Sequence, residues 1–468
     1  QALGEAAVPV AVLGSRLMMA DGLETPPAAR PPQPMLASPA GNWAPNQVAP
    51  LPPLPEAAFG NGAIAGPEDP AYAKPQGLAG GLTLQDLEQI ALESNPTLVQ
   101  ASMAVQAAQG RYAQAGLCPN PEMVYIADEI GNDGTEGLQG MGVGQEIVTN
   151  GKLRLGQAVA GHEVQQARHG LEAQRWRVLN DVRAGYYDVL LAQRMIDLNG
   201  ELVRVGKEGV DLTERALEQG EVSKADVLQA RIEADTAHLG LVEAQNRHRS
   251  AWRRLAAVLG NPEMEPPTLL GQLEETMPEL TWEESLRDLL ARSPELAQAR
   301  AGVERARCQL ALQYAERKPN FAVGAAAKYD TGSYYTVADL EMVVPLPLFN
   351  RNQGNIMEAQ AGLIAAQREV RRVELDLQDR LAEAFEQYAN GRQHVQTYTG
   401  TILPNARQSL DLVGSGYRDG EFGYLTLLTA QRTFFAVNLS YLNSLSQLWA
   451  QTVQLEGLLL GGGLEAAE

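Results

Sequence analysis

Residues 220–231 read GEVSKADVLQAR, and residues 420–431 read GEFGYLTLLTAQ. Both segments open with Gly-Glu and carry a leucine eight positions after the glycine, with an alanine two positions further on. Other pairs keep nearly the same offset: Asn95-Pro96 with Ser293-Pro294, Pro119-Asn120 with Pro319-Asn320, and Leu259-Gly260 with Leu460-Gly461. An offset of about 200 residues that holds along this much of the chain indicates an internal duplication. The two copies are therefore predicted to share one supersecondary plan.

The helical part of that plan follows from prolines, caps and heptads. In each copy a short helix precedes a second helix. The second helix is predicted to begin at a proline, because Asn95 and Ser293 stand just before that proline and are natural N-caps. A long helix and a return helix follow, and heptad-spaced residues such as Ile356 and Leu363 predict coiled-coil packing. Pro404 should kink the second long helix. The predicted helices are 84–93, 96–117, 152–219 and 222–259 in copy one, and 282–291, 294–318, 353–419 and 422–461 in copy two.

Between the proline-initiated helix and the long helix, each copy carries a segment with period-two alternation. Residues 321–345 alternate apolar and polar side chains around a turn, which predicts a β-hairpin with two unlike faces. Residues 121–148, around Gly131-Asn132-Asp133-Gly134, form a fainter copy. Each strand has the length of about ten residues that crosses a bilayer at a tilt.

Four strands with open edges are not viable in lipid, so several copies of the chain must close a barrel. The predicted fold class is therefore mainly α with a membrane β-barrel. It is internally duplicated, with long coiled-coil helices forming an α-barrel and four β-strands in each protomer. Cyclic symmetry would close every edge of such a ring-shaped homo-oligomer.

The chain divides into four predicted segments. Residues 1–80 form a disordered or extended arm rich in Pro, Ala and Gly, 82–260 the first repeat, 261–461 the second repeat, and 462–468 a tail. A belt of short helices is expected from 84–93, 261–293 and the C-terminus. The chain starts at Gln1 without Met, so a signal peptide could have been lost, and a lipidated cysteine would have to precede Gln1.

Composition excludes several classes of function. Lys plus Arg is 37 and Asp plus Glu is 57, and the net charge of −20 argues against a nucleic-acid partner. The sequence contains no Gly-rich phosphate loop, nucleophile elbow, His-Glu-x-x-His or Cys-x-x-Cys motif, so neither an enzyme nor a cofactor is predicted. Cys118 and Cys308 do not make a disulfide framework, and His162 and His169 are interpreted as helix-surface residues rather than metal ligands. The acidic excess could give a tunnel a negative lumen that favours cations.

Two motifs carry a resemblance to a known family. Residues 345–352, Pro-Leu-Pro-Leu-Phe-Asn-Arg-Asn, stand where strand passes into long helix, and Tyr417, Gly420 and Leu428-Thr429-Ala430-Gln431 surround the second glycine turn. Over about 82–461 the sequence resembles the TolC-like outer-membrane efflux channel family, closest to the metal- and drug-efflux branches paired with proton-driven RND pumps. The resemblance implies a homotrimer with a twelve-stranded barrel in outer-membrane lipid of a diderm bacterium and a helical tube in the periplasm.

The resemblance also implies a function, partners and sites. The channel would be a passive export duct for substrate delivered by an inner-membrane pump and a periplasmic adaptor. The family's gate positions are occupied here by Asp226, Gln229, Tyr417, Phe422, Thr426 and Thr429. The tips that the family presents to its adaptor are Gly220, Glu221, Val222, Ser223, Gly420, Glu421, Phe422 and Gly423. Where the family has an arginine and two aspartates after the second glycine, this chain has Phe422, Thr426 and Thr429, so a hydrogen-bonded and apolar gate is expected.

Alternative interpretations of these residues and of the function stay open at this point. Asp226 and Tyr417 could be solvated positions near a turn, and the tips could be generic helix–helix turns. Tyr329, Tyr334 and Tyr335 could form an interfacial aromatic girdle or be surface tyrosines of a loop. The main rival function is a soluble periplasmic coiled-coil scaffold or adaptor, although two equivalent hairpins and two long helices favour the duct. A hydrolase using paired carboxylates has no motif support, and the sequence does not identify the transported substrate.

Overall fold

A computed structural model of the chain describes residues 81–131, 134, 136–271, 273 and 279–465. The predicted arm 1–80, the turn residues Asn132 and Asp133 and the last part of the tail lie outside the described residues. The elements are α1 Leu84–Ser94, α2 Pro96–Ala115, β1 Glu122–Asp128, β2 Leu138–Ile147, α3 Lys152–Glu218, α4 Lys224–Val258, α5 Trp282–Arg292, α6 Pro294–Glu316, β3 Phe321–Asp330, β4 Thr336–Val343, α7 Gln353–Thr397, a π-helical turn Tyr398–Ile402, α8 Leu403–Arg418 and α9 Tyr424–Glu456. Among the described helices, none is both long and apolar enough to cross a membrane.

The proline-initiated helices begin at the caps that the sequence indicates. Asn95 Oδ1 accepts a hydrogen bond from the Thr97 amide at 2.9 Å, with Pro96 at the first helical position of α2. Ser293 Oγ accepts from the Leu296 amide at 3.3 Å at the start of α6. The N-caps predicted at Asn95 and Ser293 are thus confirmed.

The two β-hairpins join into one antiparallel sheet of order β1-β2-β3-β4. Strands β2 and β3 come from different copies and pair from Leu138 opposite Asp330 to Ile147 opposite Phe321. A side chain at Gly140 would collide with strand β3, because a Cβ there would lie 2.1 Å from the Ala327 carbonyl oxygen. Gly140 therefore allows the two copies to approach closely.

The long helix α3 is the common support of the helical part. At 67 residues and 1.5 Å rise it is about 100 Å long, and α2 and α4 pack along it one after the other. Their junction is held by a buried hydrogen bond from Asn95 Nδ2 to the Val258 carbonyl oxygen at 2.8 Å. The helix pair α8–α9 packs through α9 on α3 and α7.

The C-terminal segment after α9 is fixed to α3 by buried polar groups. Asn180 Nδ2 donates to the carbonyl oxygens of Gly457 and Leu460 at 2.7 and 2.8 Å. The Asp181 carboxylate accepts from the Gly463 amide at 2.7 Å. Burial raises the pKa of Asp181, while the amides of Gly463 and Gly462 partly counteract that shift. These contacts hold the end of the second copy against the long helix of the first.

Three predicted boundaries need correction. The second long helix, predicted as 353–419, is interrupted by the π-helical turn just before Pro404, whose nitrogen cannot donate a hydrogen bond. The return helices, predicted from 222 and 422, begin at Lys224 and Tyr424 because the residues before them adopt extended cap conformations.

The belt predicted to be helical over 261–293 is only partly so. Residues 265–271 are not helical, and Leu82 pairs with this stretch instead: its amide donates to the Thr268 carbonyl oxygen and its carbonyl oxygen accepts from Leu270, both at 2.9 Å. Two prolines at 266–267 explain why no helix forms there. Helix α5 supplies the helical part of the belt.

Candidate functional site

The two glycine turns have the same backbone geometry. Gly220 and Gly420 have φ of 75° and 77°, in the left-handed region that favours glycine. In the first turn the Glu221 amide reaches back to the Ala216 carbonyl oxygen at 2.9 Å, and in the second the Glu421 amide reaches the Gly416 carbonyl oxygen at 2.7 Å. With the amide of each glycine bonded three residues back, both turns are Schellman motifs. The duplication therefore extends to the hydrogen bonds of the tips.

After the first turn, Asp226 is engaged within its own helix. Its carboxylate accepts from the Ser223 amide at 2.8 Å and from Ser223 Oγ at 2.7 Å, and Ser223 Oγ accepts from the Asp226 amide at 3.3 Å. This capping box begins α4. The hydrogen bonds from the Ser223 side chain and backbone lower the pKa of Asp226. Asp226 is thus the N3 residue of the capping box, and within the described part of the chain its side chain bonds to Ser223.

The second turn is apolar where the first is polar. The Phe422 ring covers Gly416 so closely that a Cβ at Gly416 would lie 2.4 Å from it. Tyr417 packs edge-on against Tyr424, with ring centroids 6.4 Å apart. Gly423 occupies the cap position that Ser223 holds in the first copy, and it forms no side-chain cap. This turn depends on aromatic packing instead of a capping box.

The remaining predicted gate residues lie along the starts of α4 and α9. Gln229 Nε2 donates to Glu233 at 3.1 Å. Thr426 and Thr429 are exposed, and Thr429 Oγ donates to the Leu425 carbonyl oxygen at 2.8 Å. None of these three side chains carries a charge, so the local chemistry is that of hydrogen bonds.

Sequence reasoning missed Tyr424 and its neighbours. Tyr424 is only 7% exposed and packs with Ala230 and Leu428, against Val210 and Tyr417. We call these five residues the Tyr424 cluster. A signal was present in the sequence, since Tyr424 and Leu428 are four residues apart and share one face of α9.

The tyrosines of the second β-hairpin lie on the surface. Tyr329, Tyr334 and Tyr335 are all exposed, and Tyr334 has a positive φ of 63° in the turn. They are grouped at one end of the sheet, because Tyr329 pairs with Thr336 at the turn end of β3 and β4.

The family follows from a comparison with known proteins. A family model described as "Outer membrane efflux protein" matches residues 87–261 and 285–462. The chain belongs to this family. The two matched ranges correspond to the two copies of the duplicated plan. The outer-membrane efflux function and location predicted from the sequence are confirmed, and the rival interpretation as a soluble scaffold is wrong.

Individual relatives agree with this assignment. The chain is 29% identical over 385 residues to "Cobalt-zinc-cadmium resistance protein CzcC" of Cupriavidus metallidurans, covering 82% of this outer-membrane efflux protein and 91% of the relative. Its fold matches "the outer-membrane channel OprN" with a TM-score of 0.68 at 18% identity, over 82% of this chain and 91% of that one. It also matches the outer membrane protein VceC of Vibrio cholerae with a TM-score of 0.64 at 19% identity, over 81% and 96%. The predicted fold class is confirmed.

Proposed function

We propose that this outer-membrane efflux protein is a homotrimeric, passive export duct. It receives its substrate from an inner-membrane RND-type pump through a periplasmic adaptor. The pump supplies the energy, so the duct itself catalyses no reaction. The observation that carries the proposal is the distribution of exposed apolar residues along the free edges of the protomer.

The sheet exposes apolar side chains on both edge strands. Met123 on β1 is 72% exposed and Leu340 on β4 is 88% exposed. An edge strand in lipid must find a partner, because its backbone groups have no water to bond. Three copies that pair β4 of one protomer with β1 of the next would give a closed barrel of twelve strands. The exposed tyrosines 329, 334 and 335 would then form part of an interfacial aromatic girdle.

The helical part also has an apolar face that is exposed within the protomer. On α4 an apolar stripe of Leu228, Ile232, Leu239 and Val242 is exposed to solvent. Its spacing of three, four and seven residues is that of a coiled-coil seam. We call it the α4 stripe. On α8, Leu412 is also exposed, and the duct would be closed by packing such faces between neighbouring protomers.

The glycine turns suit contact with an adaptor. Both are short, exposed and geometrically alike, so three protomers would present six similar tips in a ring. Their residues, 220–223 and 420–423, would dock the adaptor. The gate would lie immediately behind the tips and would consist of Asp226, Gln229, Tyr417, Phe422, Thr426 and Thr429. With no ion pair among these six, it would be a hydrogen-bonded and apolar gate.

Divalent transition-metal cations are the proposed substrate. The relative from Cupriavidus metallidurans is named for resistance to cobalt, zinc and cadmium. The net charge of −20 would favour cations over anions in an aqueous lumen. The metal would be cargo and would need no fixed site.

Detergent extraction of isolated outer membranes followed by sizing tests the assembly. We expect a trimer that inserts into planar bilayers and conducts ions. Recovery as a monomer that does not conduct would contradict the proposed function. Zn²⁺ selectivity over Cl⁻, measured as a reversal potential in a salt gradient, tests the substrate class.

The gate has its own test. Asp226→Ala removes the capping box of α4 and should raise single-channel conductance by loosening the first turn. Asp86→Ala is the matched control, because Asp86 forms the same capping box with Thr83 at the start of α1. Unchanged conductance in Asp226→Ala would remove Asp226 from the gate.

A further inference from the structure

The four strands separate charged from uncharged side chains by face. Directly paired residues of a sheet point to the same side, and successive residues of one strand point to opposite sides. In the observed register, Ile126, Gly140, Lys328 and Val337 form a row across the sheet and so share one face, which we call the polar face. The acidic residues of the strands are all on it: Glu122, Asp128, Glu146, Asp330, Asp339 and Glu341.

The opposite face carries no charged residue within the four described strands. Met123, Tyr329 and Leu340 are among its members. In the proposed barrel this uncharged face contacts lipid, because a charged side chain on the lipid face destabilises a barrel. The polar face then lines the aqueous lumen, and Lys328 is the one basic residue on it among the described strands.

Lys328 reaches across a whole strand to its first partner. It lies on β3 directly opposite Gly140 of β2, and Asp128 lies on β1, the strand beyond. A Cβ at Gly140 would lie 2.6 Å from Lys328 Cα. Because Gly140 has no side chain, the lysine extends over β2, and its Nζ donates to Asp128 Oδ2 at 2.6 Å.

A second carboxylate contacts the same ammonium group from the other side. Asp339 of β4 is paired with Ala326, two residues before Lys328 on the same face, and its Oδ2 lies 2.5 Å from Lys328 Nζ. The lysine side chain is only 13% exposed, whereas those of Asp128 and Asp339 are 50% and 43% exposed. One ammonium group is thus held between two carboxylates that water still reaches.

The position of this ammonium group is one that a metal cation can take. Oxygen ligands surround a bound Ca²⁺ at about 2.3–2.6 Å, and the two carboxylate oxygens lie at comparable distances from Lys328 Nζ. Carboxylates suit hard divalent cations, Mn²⁺ among them. Without the lysine, Asp128 and Asp339 would therefore present a free pair of carboxylates to divalent cargo that passes along the lumen.

We propose that Lys328 is a tethered counter-ion, which occupies the carboxylate pair of Asp128 and Asp339 and so prevents the barrel from retaining divalent cations. The proposal rests on the proposed function as a cation-exporting duct. The ammonium group is part of the same chain, so it competes at a high effective concentration with any diffusing cation. Lys328 thus determines specificity by leaving the lumen acidic overall while its one bridged carboxylate pair is occupied.

Block of the channel by Mn²⁺ tests the proposal. Na⁺ current through trimers in planar bilayers is recorded while Mn²⁺ is titrated. Lys328→Met removes the charge, and we expect half-block at a Mn²⁺ concentration at least tenfold lower than in the native protein. Adding Asp339→Asn to Lys328→Met should restore the native value, because it removes one of the two carboxylates.

Lys318→Met is the matched control, since Lys318 is an exposed lysine just before β3 and outside the strands. It should leave the half-block concentration unchanged. Equal half-block concentrations in the native protein and Lys328→Met would overturn the proposal. If the native protein does not conduct, the proposed function fails instead.

Mn²⁺ binding gives a readout that needs no conduction. The electron paramagnetic resonance signal of free Mn²⁺ is measured with the detergent-solubilised full chain. Lys328→Met should bind one additional Mn²⁺ per protomer, and the double variant with Asp339→Asn should lose it. If Lys328→Met does not fold, Lys328→Gln takes its place, because an uncharged amide can still donate to a carboxylate. A folded variant that binds no additional Mn²⁺ would overturn the inference, whatever the current recordings show.

Discussion

At the scale of single residues, the capping box of α4 should make the first turn sensitive to acid. The folded-state pKa of Asp226 lies below its ordinary value of 3.8, because Ser223 bonds the charged carboxylate. The cap therefore contributes its full stability above the unfolded pKa and loses it as pH falls through the folded value. Hydrogen exchange of the amides of residues 224–227, corrected for intrinsic rates, should show an acid-dependent rise between pH 6 and pH 2.

Asp226→Asn should abolish this dependence, because an amide does not titrate in that range. The control is Asp235→Asn, which changes an exposed carboxylate on the same helix. An acid-dependent rise that persists in Asp226→Asn would show that another group is responsible.

Gly209 of α3, which lies against the Tyr424 hydroxyl, gives a second prediction at the scale of single residues. Alanine is favoured over glycine in a helix interior by about 1 kcal/mol, but Gly209→Ala would place its Cβ 3.0 Å from Tyr424 Oη. We expect Gly209→Ala to lower the melting temperature of the native protein and to raise it when Tyr424→Phe has removed the hydroxyl. The coupling energy should be about 1–2 kcal/mol, within the range for residues in contact, because it must outweigh the gain in helix propensity.

Gly200→Ala is the control for that cycle, because a Cβ at Gly200 has no heavy atom within 4 Å. It should be stabilising in both backgrounds by the same amount. Equal effects of Gly209→Ala with and without the Tyr424 hydroxyl would show that the two residues do not interact.

At the scale of elements, local sequence rules predicted where helices begin and end better than where a helix is interrupted. Asn95 and Ser293 could be read as caps because a short polar side chain before proline has one favoured role. Pro404 indicated a defect in the second long helix, but not that the defect is the π-helical turn Tyr398–Ile402 before it, since proline removes a backbone donor without specifying how the preceding turn adapts. The spacing of Tyr424 and Leu428 indicated a shared face of α9, but not that Gly209 of α3 leaves the space for the tyrosine, since a glycine does not indicate which side chain packs against it.

The π-helical turn itself can be tested by deletion. A π-turn accommodates one extra residue in an α-helix, so deleting Gly400 should convert 398–402 into regular helix and leave the faces of α7 and α8 in register. Because Pro404 would then fall inside a helix, where proline costs about 3 kcal/mol, the deletion is made with Pro404→Ala. We expect the melting temperature and trimer yield to be retained.

The matched control is deletion of Gly414 in the same Pro404→Ala background. Like Gly400, it has open space at its Cβ position, but it lies within the regular helix α8. Removing it rotates the following residues by about 100° and turns Tyr417 away from Tyr424, so trimer yield should fall. Similar losses in both deletions would mean that the π-turn has no spare residue.

At the scale of the whole molecule, duplication determines how the protomer can close. Both copies contribute two strands to one sheet, and β2 and β3 join them, which leaves β1 and β4 as the free edges. The helices also have a buried and an exposed side. The helix pairs α3–α4 and α8–α9 bury their mutual contact, whereas the α4 stripe stays exposed. The two edge strands and the α4 stripe are thus available for contact with other protomers, which is what a closed ring of identical protomers needs.

The α4 stripe therefore provides the prediction for assembly. Leu239→Glu places a charge in the middle of the stripe without touching the buried face of α4, where Ala237 and Ala244 lie. The variant should fold and melt as an intact protomer. Its trimer yield, measured by sizing in detergent, should fall at least tenfold, because a carboxylate would be desolvated at each of three seams. Gln245→Glu is the control: it adds the same charge at an exposed position on a different face of α4. Trimers from Leu239→Glu in normal yield would place the seam elsewhere and leave the stripe free for a different partner.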